Sequence, residues 1–351
     1  MKKVKIGIIG VGGIANKHIA ELLNCENAEI VAICDINPAA IEAKNAKLHL
    51  APEKCYSDYK ELIADPDVEA VEICTPNHLH AEMAIAALGA GKPINLEKPI
   101  AMSYREALDI VDASKNVARP NMTCFSYRFK PAVRYAKHLV DSGALGEITG
   151  LNVAYLKNSA LWEGRRLEWL FVKECTGSGV IGDLAVHLID LAQLLAGNIT
   201  SLVATQSIIV KERRRLDSDE IAPVQTDDQC GFLAEFSSGA QGTFCITRAA
   251  AGHANTIRYD VYGTRGAISF DLDHPEILGI CVGEGDVKNL SFKTVDVPRE
   301  FYLDQEQAFV NALGGKVDDI FPTLEHGAQG QLIVDAIIKS AEERRWVDIE
   351  E

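Results

Sequence analysis

The stretch Val4-Lys5-Ile6-Gly7-Ile8-Ile9-Gly10-Val11-Gly12-Gly13-Ile14-Ala15 decides the fold of this 351-residue chain. Its first half is a short run rich in β-branched residues, which predicts a buried strand. Its second half follows the pattern G-x-G-x-x-A and opens a stretch of helical spacing over residues 14–23. A glycine-rich turn between a strand and a helix is typical of a loop that binds a dinucleotide.

The small residues of this loop have separate physical roles. Gly10 permits the tight turn, Gly12 lets the backbone approach a pyrophosphate, and Ala15 allows the helix to pack closely on the strand. Backbone N–H groups at the start of the helix supply partial positive charge to phosphate oxygens. We therefore predict a cofactor-binding loop formed by Gly10, Val11, Gly12, Gly13 and Ile14.

Asp35 ends the next predicted strand, at about the offset where a carboxylate holds a ribose 2′-hydroxyl. A carboxylate there would repel a 2′-phosphate, and no Arg or Lys occurs in residues 36–43. The sequence therefore favours NAD over NADP, with Asp35 and Ile36 at the cofactor.

Strand and helix signals alternate over the first 120 residues. Strands are predicted over 4–9, 30–34, 68–74 and 93–96. Helices are predicted over 14–23, 38–49, 79–90 and 104–115. Strands that alternate with helices predict a doubly wound parallel sheet with right-handed crossovers, which gives an NAD-binding Rossmann domain over residues 1–122.

The pattern changes after about residue 122. Strands are predicted over 148–156, 202–210, 229–236, 241–247, 257–262 and 267–271. Helices are predicted over 132–142, 183–195, 304–313 and 325–344. Short glycine-containing turns join several strands and favour a large, mainly antiparallel sheet with helices on one face. We predict a second α/β domain over residues 123–351.

The composition argues against several classes of partner. The chain carries 35 Lys and Arg against 50 Asp and Glu, a formal net charge of −15 at pH 7. A nucleic-acid-binding protein needs a basic surface to displace counterions, so we predict no nucleic-acid partner. The compact basic cluster 211–215 is followed by acidic residues, and we interpret it as a solvated loop.

The nine cysteines show no C-x-x-C spacing, which predicts neither a zinc ribbon nor a redox dithiol. Scattered cysteines beside apolar residues are typical of a reduced, cytoplasmic protein. No uncharged apolar stretch reaches about 18 residues, so the sequence predicts no membrane span.

Two segments carry side chains that suit chemistry at such a cofactor. Glu97-Lys98-Pro99 follows the predicted strand 93–96, and ligands gather at the carboxyl ends of strands in a doubly wound sheet. In the second segment, Asp183, His187 and Asp190 would share one helical face at i, i+4 and i+7. Buried ionisable groups in apolar surroundings must be paired or functional.

Both segments have alternative interpretations. A Glu-Lys pair is also ordinary on the surface where a strand ends, and position alone does not separate the two. His187, if satisfied by Asp190, would serve only to hold a helix end. A metal site on Asp183 and His187 lacks an evident third ligand, so no metal is predicted.

The segment Thr75-Pro76-Asn77-His78-Leu79-His80 follows another predicted strand. Thr75 and Asn77 would contact the nicotinamide ribose, and we place Pro76 and His80 at the cofactor with them. The segment also fits a helix N-terminus with Pro at the first position, and both interpretations can hold together.

Taken together, these motifs resemble the Gfo/Idh/MocA family (glucose–fructose oxidoreductase, inositol dehydrogenase, MocA) over essentially the whole chain. Five motifs in order carry the resemblance: the Gly10-x-Gly12 loop, Thr75–His80, Glu97-Lys98-Pro99, Tyr127-Arg128-Phe129-Lys130-Pro131, and Gly177-Ser178-Gly179 leading into Asp183-x-x-x-His187. The resemblance implies a Rossmann domain and a second α/β domain whose open sheet often forms dimers or tetramers.

The resemblance also implies that Lys98, Asp183 and His187 surround the nicotinamide. Lys98 would hold and polarise the reacting hydroxyl, and His187 would accept its proton, although relatives divide that role differently between Lys and His. Asp183 would orient the substrate or Lys98. The remaining implied contacts are Glu97 at the cofactor and Tyr127, Arg128, Trp162 and Arg166 at the substrate.

The chain departs from the family pattern before Glu97. It reads Pro93-Ile94-Asn95-Leu96 where many relatives carry a His-Val pair, which alters the polarity expected there. The stretch from Thr226-Asp227-Asp228 to Arg248 and His253 looks like members that act on cyclitols, anhydrosugars or glycosides.

These expectations describe an NAD-dependent dehydrogenase that oxidises one secondary hydroxyl of a sugar, sugar derivative or cyclitol to a ketone. One alternative uses tightly held NAD for glycoside cleavage or epimerisation with no net oxidation. A second alternative is a sensor of the same fold that has lost its chemistry. Such sensors usually lack the lysine or the histidine, and this chain has both.

Overall fold

The computed structural model describes residues 3–350, so residues 1, 2 and 351 of the two predicted domains lie outside the described part. The chain divides into two compact units. The first comprises residues 3–126 with Leu303–Gln329, and the second comprises Tyr127–Tyr302 with residues 330–350. The chain thus leaves the first unit after Ser126, whereas the sequence placed that boundary after residue 122.

A parallel sheet of six strands forms the first unit. Its strands are β1 (Val4–Ile9), β2 (Ala28–Cys34), β3 (Cys55–Tyr56), β4 (Ala70–Ile73), β5 (Ile94–Leu96) and β6 (Met122–Thr123). Its first five helices are α1 (Ala15–Asn24), α2 (Pro38–Leu48), α3 (Tyr59–Ala64), α4 (His80–Gly89) and α5 (Tyr104–Ser114). The strand order β3-β2-β1-β4-β5-β6 confirms the predicted doubly wound arrangement.

The register of this sheet decides which side chains meet at its edge. Ile9 of β1 pairs with Cys34 of β2 and with Ile73 of β4, and Ile73 in turn pairs with Leu96 of β5. The carboxyl ends of these four parallel strands therefore lie side by side. The glycine loop, Asp35, the Thr75 segment and Glu97 all begin directly after these ends.

A nine-stranded mixed sheet forms the second unit. Its strands are β7 (Ile148–Leu156), β8 (Ile199–Ser207), β11 (Gln229–Phe236), β12 (Gln241–Thr247), β13 (Thr256–Gly263), β14 (Gly266–Asp271), β15 (Ile277–Val282), β16 (Lys293–Asp296) and β17 (Val347–Asp348), while β9 (Glu212–Arg214) and β10 (Ile221–Pro223) form a separate pair. The helices of residues 127–302 are α6 (Pro131–Asp141), α7 (Lys173–Thr176), α8 (Val186–Ala196) and α9 (Glu284–Asn289). All neighbours in the nine-stranded sheet are antiparallel except β7 and β12, which confirms a large, mainly antiparallel sheet.

Alternation along these strands separates a buried face from an exposed one. Phe232 of β11 and Phe244 of β12 stack on the buried face with ring centroids 4.1 Å apart. Tyr259 of β13 is fully buried, and its hydroxyl donates to the Leu188 carbonyl of α8 at 2.8 Å. Leu233 lies on the opposite face and is exposed. Helix α8 therefore packs on one face of the sheet, as predicted.

One helical segment, Lys173–Ala196, bears on the predicted absence of membrane spans. By length and composition it is apolar enough to cross a membrane, with a mean hydropathy of 1.5 in its most apolar window. However, 83% of that window is buried inside the protein, as in the core helix of a globular domain. The sequence criterion of an uncharged run overlooked this segment because charged residues interrupt it.

A π-helical turn over Ile181–Ala185 lies in this segment, directly before α8. Such a turn adds a residue to the helical repeat, so the predicted i, i+4 and i+7 face holds only from Val186 onward. Asp183 lies in the π-helical turn and His187 in the regular helix.

The interpretation of residues 211–215 as a solvated loop is wrong in part: four of these five residues are exposed, but the segment contains a strand and one buried side chain. Residues 212–214 form β9, and Arg213 is buried. Its guanidinium donates to the carbonyl oxygens of Arg165 at 3.1 Å and Ala160 at 2.7 Å, and its central carbon lies 4.2 Å from the Phe171 ring centroid. Arg213 therefore fastens the segment 158–173, because a buried guanidinium needs acceptors and finds them there.

Residues 303–329, which the sequence assigned to the second domain, belong to the first unit. They include helix α10 (Gln305–Leu313) and the start of helix α11 (Leu324–Glu343). Leu324 and Ala328 join the apolar core around β4 and β5, and the fully buried Glu306 contacts His18 of α1. These contacts lie more than 200 residues apart in sequence, so no local pattern announces them.

Candidate active site

The glycine loop has the geometry that its sequence predicts. Gly10 has a φ of +82°, and a Cβ atom there would lie 2.8 Å from the Cys74 carbonyl group. At Gly12 and Gly13 an added Cβ would meet nothing within 4 Å. No side chain caps the start of α1, so the positive end of the helix dipole stays open to an anion. Gly10 therefore serves the turn, while Gly12 and Gly13 leave open space above it.

Asp35 has a second role that the sequence did not indicate. One of its carboxylate oxygens accepts from the Val11 N–H at 2.9 Å, and the other accepts from the Asn37 N–H at 2.9 Å. Ile36 between them is 88% exposed. Asp35 therefore fixes the glycine loop as well as presenting a negative charge at the end of β2.

The Thr75–His80 segment lies at the end of β4. The Thr75 hydroxyl oxygen is buried without a hydrogen-bond partner among the described residues, and Asn77 is buried. A short 3₁₀ turn begins here at Asn77, so Pro76 lies one residue before the first helical position that the sequence predicted for it, and no side chain caps the turn. The His80 ring nitrogens lie 2.8 Å from the Thr75 and Pro99 carbonyl oxygens, which ties this segment to Glu97-Lys98-Pro99.

The Glu97 carboxylate is buried at the end of β5 and held at both oxygens. One oxygen lies 3.0 Å from Nε2 of His18, and the other accepts from the Lys98 N–H at 3.1 Å. Burial alone would raise the pKa of Glu97, but the His18 hydrogen bond and the charges of His18 and Lys98 lower it. An ionised Glu97 therefore adjoins Lys98, which excludes the alternative of an ordinary exposed pair.

Two overlapping sets of side chains at this end of the sheet could ligate a cation. They are His18, Glu72 and Cys74, and His18, Glu97 and Cys124, each with ligand atoms within 4.8 Å of one another. However, both nitrogens of the shared imidazole already lie 2.9–3.0 Å from carboxylate oxygens. That separation suits a hydrogen bond, and the sequence-based expectation of no metal stays a prediction.

In the second unit, His187 lies against an aromatic and polar group. Its ring meets the Tyr127 ring edge-on, with centroids 4.7 Å apart. The hydroxyls of Tyr127 and Tyr155 lie 2.9 Å apart. The Tyr155 hydroxyl donates to Oδ1 of Asn255 at 2.9 Å, and Nδ2 of Asn255 donates to the Tyr127 hydroxyl at 3.3 Å. Burial and the nearby Tyr127 and Asp183 raise the pKa of Tyr155, so Tyr155 stays neutral.

The hydroxyl and amide groups of Tyr127, Tyr155 and Asn255 form a polar triad beside His187. Two of its members, Tyr155 and Asn255, were missed by the sequence analysis. Tyr155 is the only tyrosine of β7, where it reads as one more strand residue, and Asn255 precedes β13 in an ordinary turn. Neither position carries a local signal. Only the pairing of β7 with β13, which aligns Tyr155 with Ile257, brings them together.

The start of the helical segment that carries Asp183 is fixed by Asp227. The Asp227 carboxylate accepts from the Gly179 N–H at 2.6 Å and from the Ile181 N–H at 3.0 Å. A Cβ atom on Gly179 would collide with the Asp227 backbone, so only glycine fits there. The motifs Gly177-Ser178-Gly179 and Thr226-Asp227-Asp228 thus meet, and their contact positions the turn of Asp183.

Arg128 and Asp190 form a buried ion pair in the same unit. Nε of Arg128 lies 2.9 Å and Nη2 lies 2.6 Å from the two carboxylate oxygens, and each side chain is at most 3% exposed. Burial nevertheless raises the pKa of Asp190, since it outweighs the attraction of Arg128. Asp190, considered from sequence as a partner of His187, therefore has its carboxylate engaged by Arg128.

The two other predicted substrate residues lie in the segment 158–173. Trp162 is 57% exposed, and its indole N–H donates to Oδ1 of Asn158 at 3.1 Å. Nη1 of Arg166 donates to the carbonyl oxygens of Arg215 at 2.8 Å and Ser218 at 2.9 Å. Contact of Arg128, Trp162 and Arg166 with a substrate stays a prediction.

Two family models match the chain. The oxidoreductase family model with an NAD-binding Rossmann fold matches residues 4–122, and the GFO/IDH/MocA C-terminal domain model matches residues 133–269. The first match identifies the first unit as an NAD-binding domain.

Individual proteins of this kind match over almost their full length. Levoglucosan dehydrogenase of Pseudarthrobacter phenanthrenivorans is 33% identical over 90% of this chain and 88% of that protein. Myo-inositol 2-dehydrogenase of Thermotoga maritima is 27% identical over 99% of both chains. A solved structure of levoglucosan dehydrogenase in complex with NADH superposes with a TM-score of 0.91, at 31% identity and over 100% of both chains.

The charge of Asp35 generates a prediction about the cofactor. We expect NADPH to bind at least about tenfold more weakly than NADH, because the carboxylate repels the 2′-phosphate across a short distance. Asp35→Ser should reduce the difference between the two affinities, because it weakens the binding of NADH and strengthens that of NADPH. Titration of cofactor fluorescence gives both dissociation constants.

Glu42→Ser is the matched control for that titration, since Glu42 is an exposed acid one turn into α2. It should leave both constants unchanged. Equal binding of NADH and NADPH by the unaltered protein would contradict the role assigned to Asp35.

Proposed function

The chain belongs to the Gfo/Idh/MocA family of NAD-binding oxidoreductases, and on that premise we propose that it oxidises a secondary hydroxyl of a sugar, sugar derivative or cyclitol to a ketone. The observation that carries the proposal is the surroundings of His187. A histidine packed against Tyr127, on the helix that follows the π-helical turn of Asp183, lies beside hydroxyl and amide groups suited to a polyol.

The first unit fits a bound dinucleotide. The space above Gly12 and Gly13, the uncapped start of α1 and the unpartnered Thr75 hydroxyl all suit a phosphorylated, hydroxyl-rich ligand. NAD, when bound, supplies the acceptor for the hydride that leaves the substrate carbon. The residues that would hold it are those of the glycine loop with Asp35, Ile36, Thr75, Pro76, Asn77, His80, Glu97 and Lys98.

Oxidation of an alcohol to a ketone removes a hydride from carbon and a proton from oxygen. We assign the proton to His187, because an imidazole is basic enough at neutral pH to accept it and becomes cationic as it does so. Lys98 stabilises the developing negative charge on the oxygen with its ammonium group. Asp183 orients the substrate or Lys98.

The substrate class follows from the relatives and from the polar triad. Levoglucosan and inositol dehydrogenases share this chain's family, and both names denote ring compounds that carry several secondary hydroxyls. Tyr127, Tyr155 and Asn255 offer uncharged donors and acceptors, which suit hydroxyl groups better than a phosphate or carboxylate. We therefore propose a neutral cyclic polyol as substrate.

Replacement of Lys98 by alanine tests this assignment. We expect Lys98→Ala to lower kcat at least about a thousandfold, because the charge that stabilises the alkoxide is lost. NADH binding should change little, because the glycine loop, Asp35 and the Thr75 segment still hold the cofactor. The assay screens levoglucosan, inositols and aldoses for NADH formation at 340 nm, and cofactor fluorescence reports binding. Lys115→Ala, which removes a lysine with a 71% exposed side chain from the same unit, is the control.

Product analysis alongside absorbance separates the two chemistries that the family allows. Ketone formed in step with NADH supports the proposed dehydrogenase. A changed sugar without NADH would instead indicate transient oxidation with no net redox change. If Lys98→Ala retained turnover, that result would contradict the role assigned to Lys98 in stabilising the substrate oxygen.

We also propose that the protein is a cytoplasmic homo-oligomer. All nine cysteines are free, which suits a reducing compartment. On the open face of the large sheet, Leu233, Tyr262 and Trp346 are each at least 39% exposed and line one groove. An exposed apolar sheet face favours association with a second copy. Light scattering tests this, and a mass of 38.2 kDa would contradict it.

A further inference from the structure

The interior of the first unit contains a histidine among three carboxylates. His18 of α1 is 1% exposed. Its Nδ1 lies 2.9 Å from a carboxylate oxygen of Glu72 and 3.0 Å from one of Glu306, and its Nε2 lies 3.0 Å from Glu97. The imidazole therefore bridges α1, β4, α10 and the residue that follows β5.

Further buried groups complete this cluster. Nδ2 of Asn95 donates to Glu72 at 2.8 Å and to Glu306 at 3.0 Å, and the Cys124 thiol donates to Oδ1 of Asn95 at 3.0 Å. Nε2 of Gln305 donates to Glu306 at 2.8 Å. Asn95 thus bridges two of the three carboxylates.

The charges of this cluster must nearly balance, because isolated charges are costly in a buried site. Burial opposes the charge on His18, but the interactions with Cys74 and Glu306 outweigh it and raise the pKa of His18. Burial and the neighbouring Glu306 raise the pKa of Glu72. The cation of His18 thus faces two ionised carboxylates, on Glu97 and Glu306, and one protonated carboxyl group on Glu72.

The Glu97 side chain links this cluster to Lys98, the residue that we assign to the reaction. One carboxylate oxygen of Glu97 contacts His18, and the other accepts a hydrogen bond from the Lys98 N–H. His18 itself lies one turn into the helix that starts at the glycine loop. By holding the Glu97 carboxylate, His18 therefore fixes the backbone at Lys98, which carries the ammonium group.

We propose that His18 is a positioning residue for the reaction: as a buried imidazolium it holds the Glu97 carboxylate and, through it, the backbone at Lys98. The proposal rests on the proposed function, since it assigns Lys98 to the reacting hydroxyl. Glu306 helps to keep the imidazole charged, and its contacts with Glu72 and Glu306 orient it. His18 touches neither substrate nor cofactor in this role.

A purely structural role for His18 makes different predictions. If the cluster only stabilised the fold, its loss would lower stability and leave the rate constant of the folded enzyme unchanged. A positioning role lowers kcat in the folded enzyme, because a small misplacement of a catalytic group costs up to about a hundredfold in rate. It should also leave the KM for NAD within about threefold of its original value.

Steady-state kinetics of His18→Gln, Glu97→Gln and the double variant separate these roles. We expect His18→Gln to lower kcat about 10- to 100-fold. Because His18 acts through Glu97, the double variant should be no slower than Glu97→Gln alone. Independent, multiplicative losses in the double variant would overturn the proposal, and so would an unchanged kcat in His18→Gln.

The matched control is His49→Asn. His49 is exposed on the same unit and adopts a φ of 55°, a conformation that asparagine tolerates. This control removes a histidine outside the cluster, and we expect the activity and stability of the original protein.

Hydrogen exchange tests the positioning without any turnover. The Lys98 N–H donates to Glu97, so its exchange reports directly on whether that carboxylate is held. We expect His18→Gln to speed exchange in a peptide covering residues 95–101 and to leave β1 and β2 protected. Unchanged exchange at 95–101 would overturn the proposal. A protein with no sugar-dependent NADH formation would refute the proposed function, while this measurement still decides the role of His18.

Glu306→Gln provides a second route if His18→Gln does not fold. The titratable and charged groups around His18 and its partners are Lys17 and Glu21 on α1, Glu72 and Cys74 at β4, Glu97 and Lys98 after β5, Cys124 after β6, and Glu306 on α10. Glu306 raises the pKa of His18, so its loss lets His18 release its proton at lower pH. The alkaline decline of kcat should therefore move to lower pH, and a profile that coincides with the original protein would overturn the proposal.

The metal content of the purified protein supplies the last outcome. A stoichiometric metal ion that disappears in His18→Gln would require a neutral imidazole as ligand, and it would overturn the assignment of a charged positioning residue. Absence of bound metal in both proteins supports that assignment.

Discussion

The His18 imidazole lies 2.9–3.0 Å from carboxylate oxygens of Glu72, Glu97 and Glu306. These four residues come from four separate parts of the chain. A hydrogen-bonded charge of this kind is costly to disrupt once buried, because removal of one partner leaves the others uncompensated. The cluster ties the helix of the glycine loop to the end of β5 and to α10. The cofactor loop and Lys98 thus share one polar anchor.

Much of the fold was predictable from local pattern. The glycine loop, the alternating elements and their β-branched strands predicted the parallel sheet because each element signals itself within about ten residues. The return of residues 303–329 to the first unit was not predictable in this way. Glu306 looks like any charged residue of an amphipathic helix, and only the tertiary fold shows that it is fully buried beside His18.

The candidate site was predictable where a motif is contiguous. Gly10–Ile14, Thr75–His80 and Glu97–Lys98 each occupy the end of a strand, as the parallel sheet requires. Tyr155, Asn255, Glu72 and His18 gave no signal, because each acquires its role from a partner at least 54 positions away in sequence. Arg213 was wrongly expected to be solvated, because its neighbours in sequence are charged. In the structure its neighbours are carbonyl groups and the Phe171 ring.

The central claim is that the anchor behind Lys98 carries a positive charge at neutral pH. Histidine-selective ¹⁵N labelling reports the protonation of both ring nitrogens directly, and His18→Gln assigns the His18 signals among the nine histidines. We predict that both nitrogens of His18 remain protonated at about pH 8, where an unperturbed histidine is neutral. Signals of a neutral tautomer at about pH 7 would contradict the account.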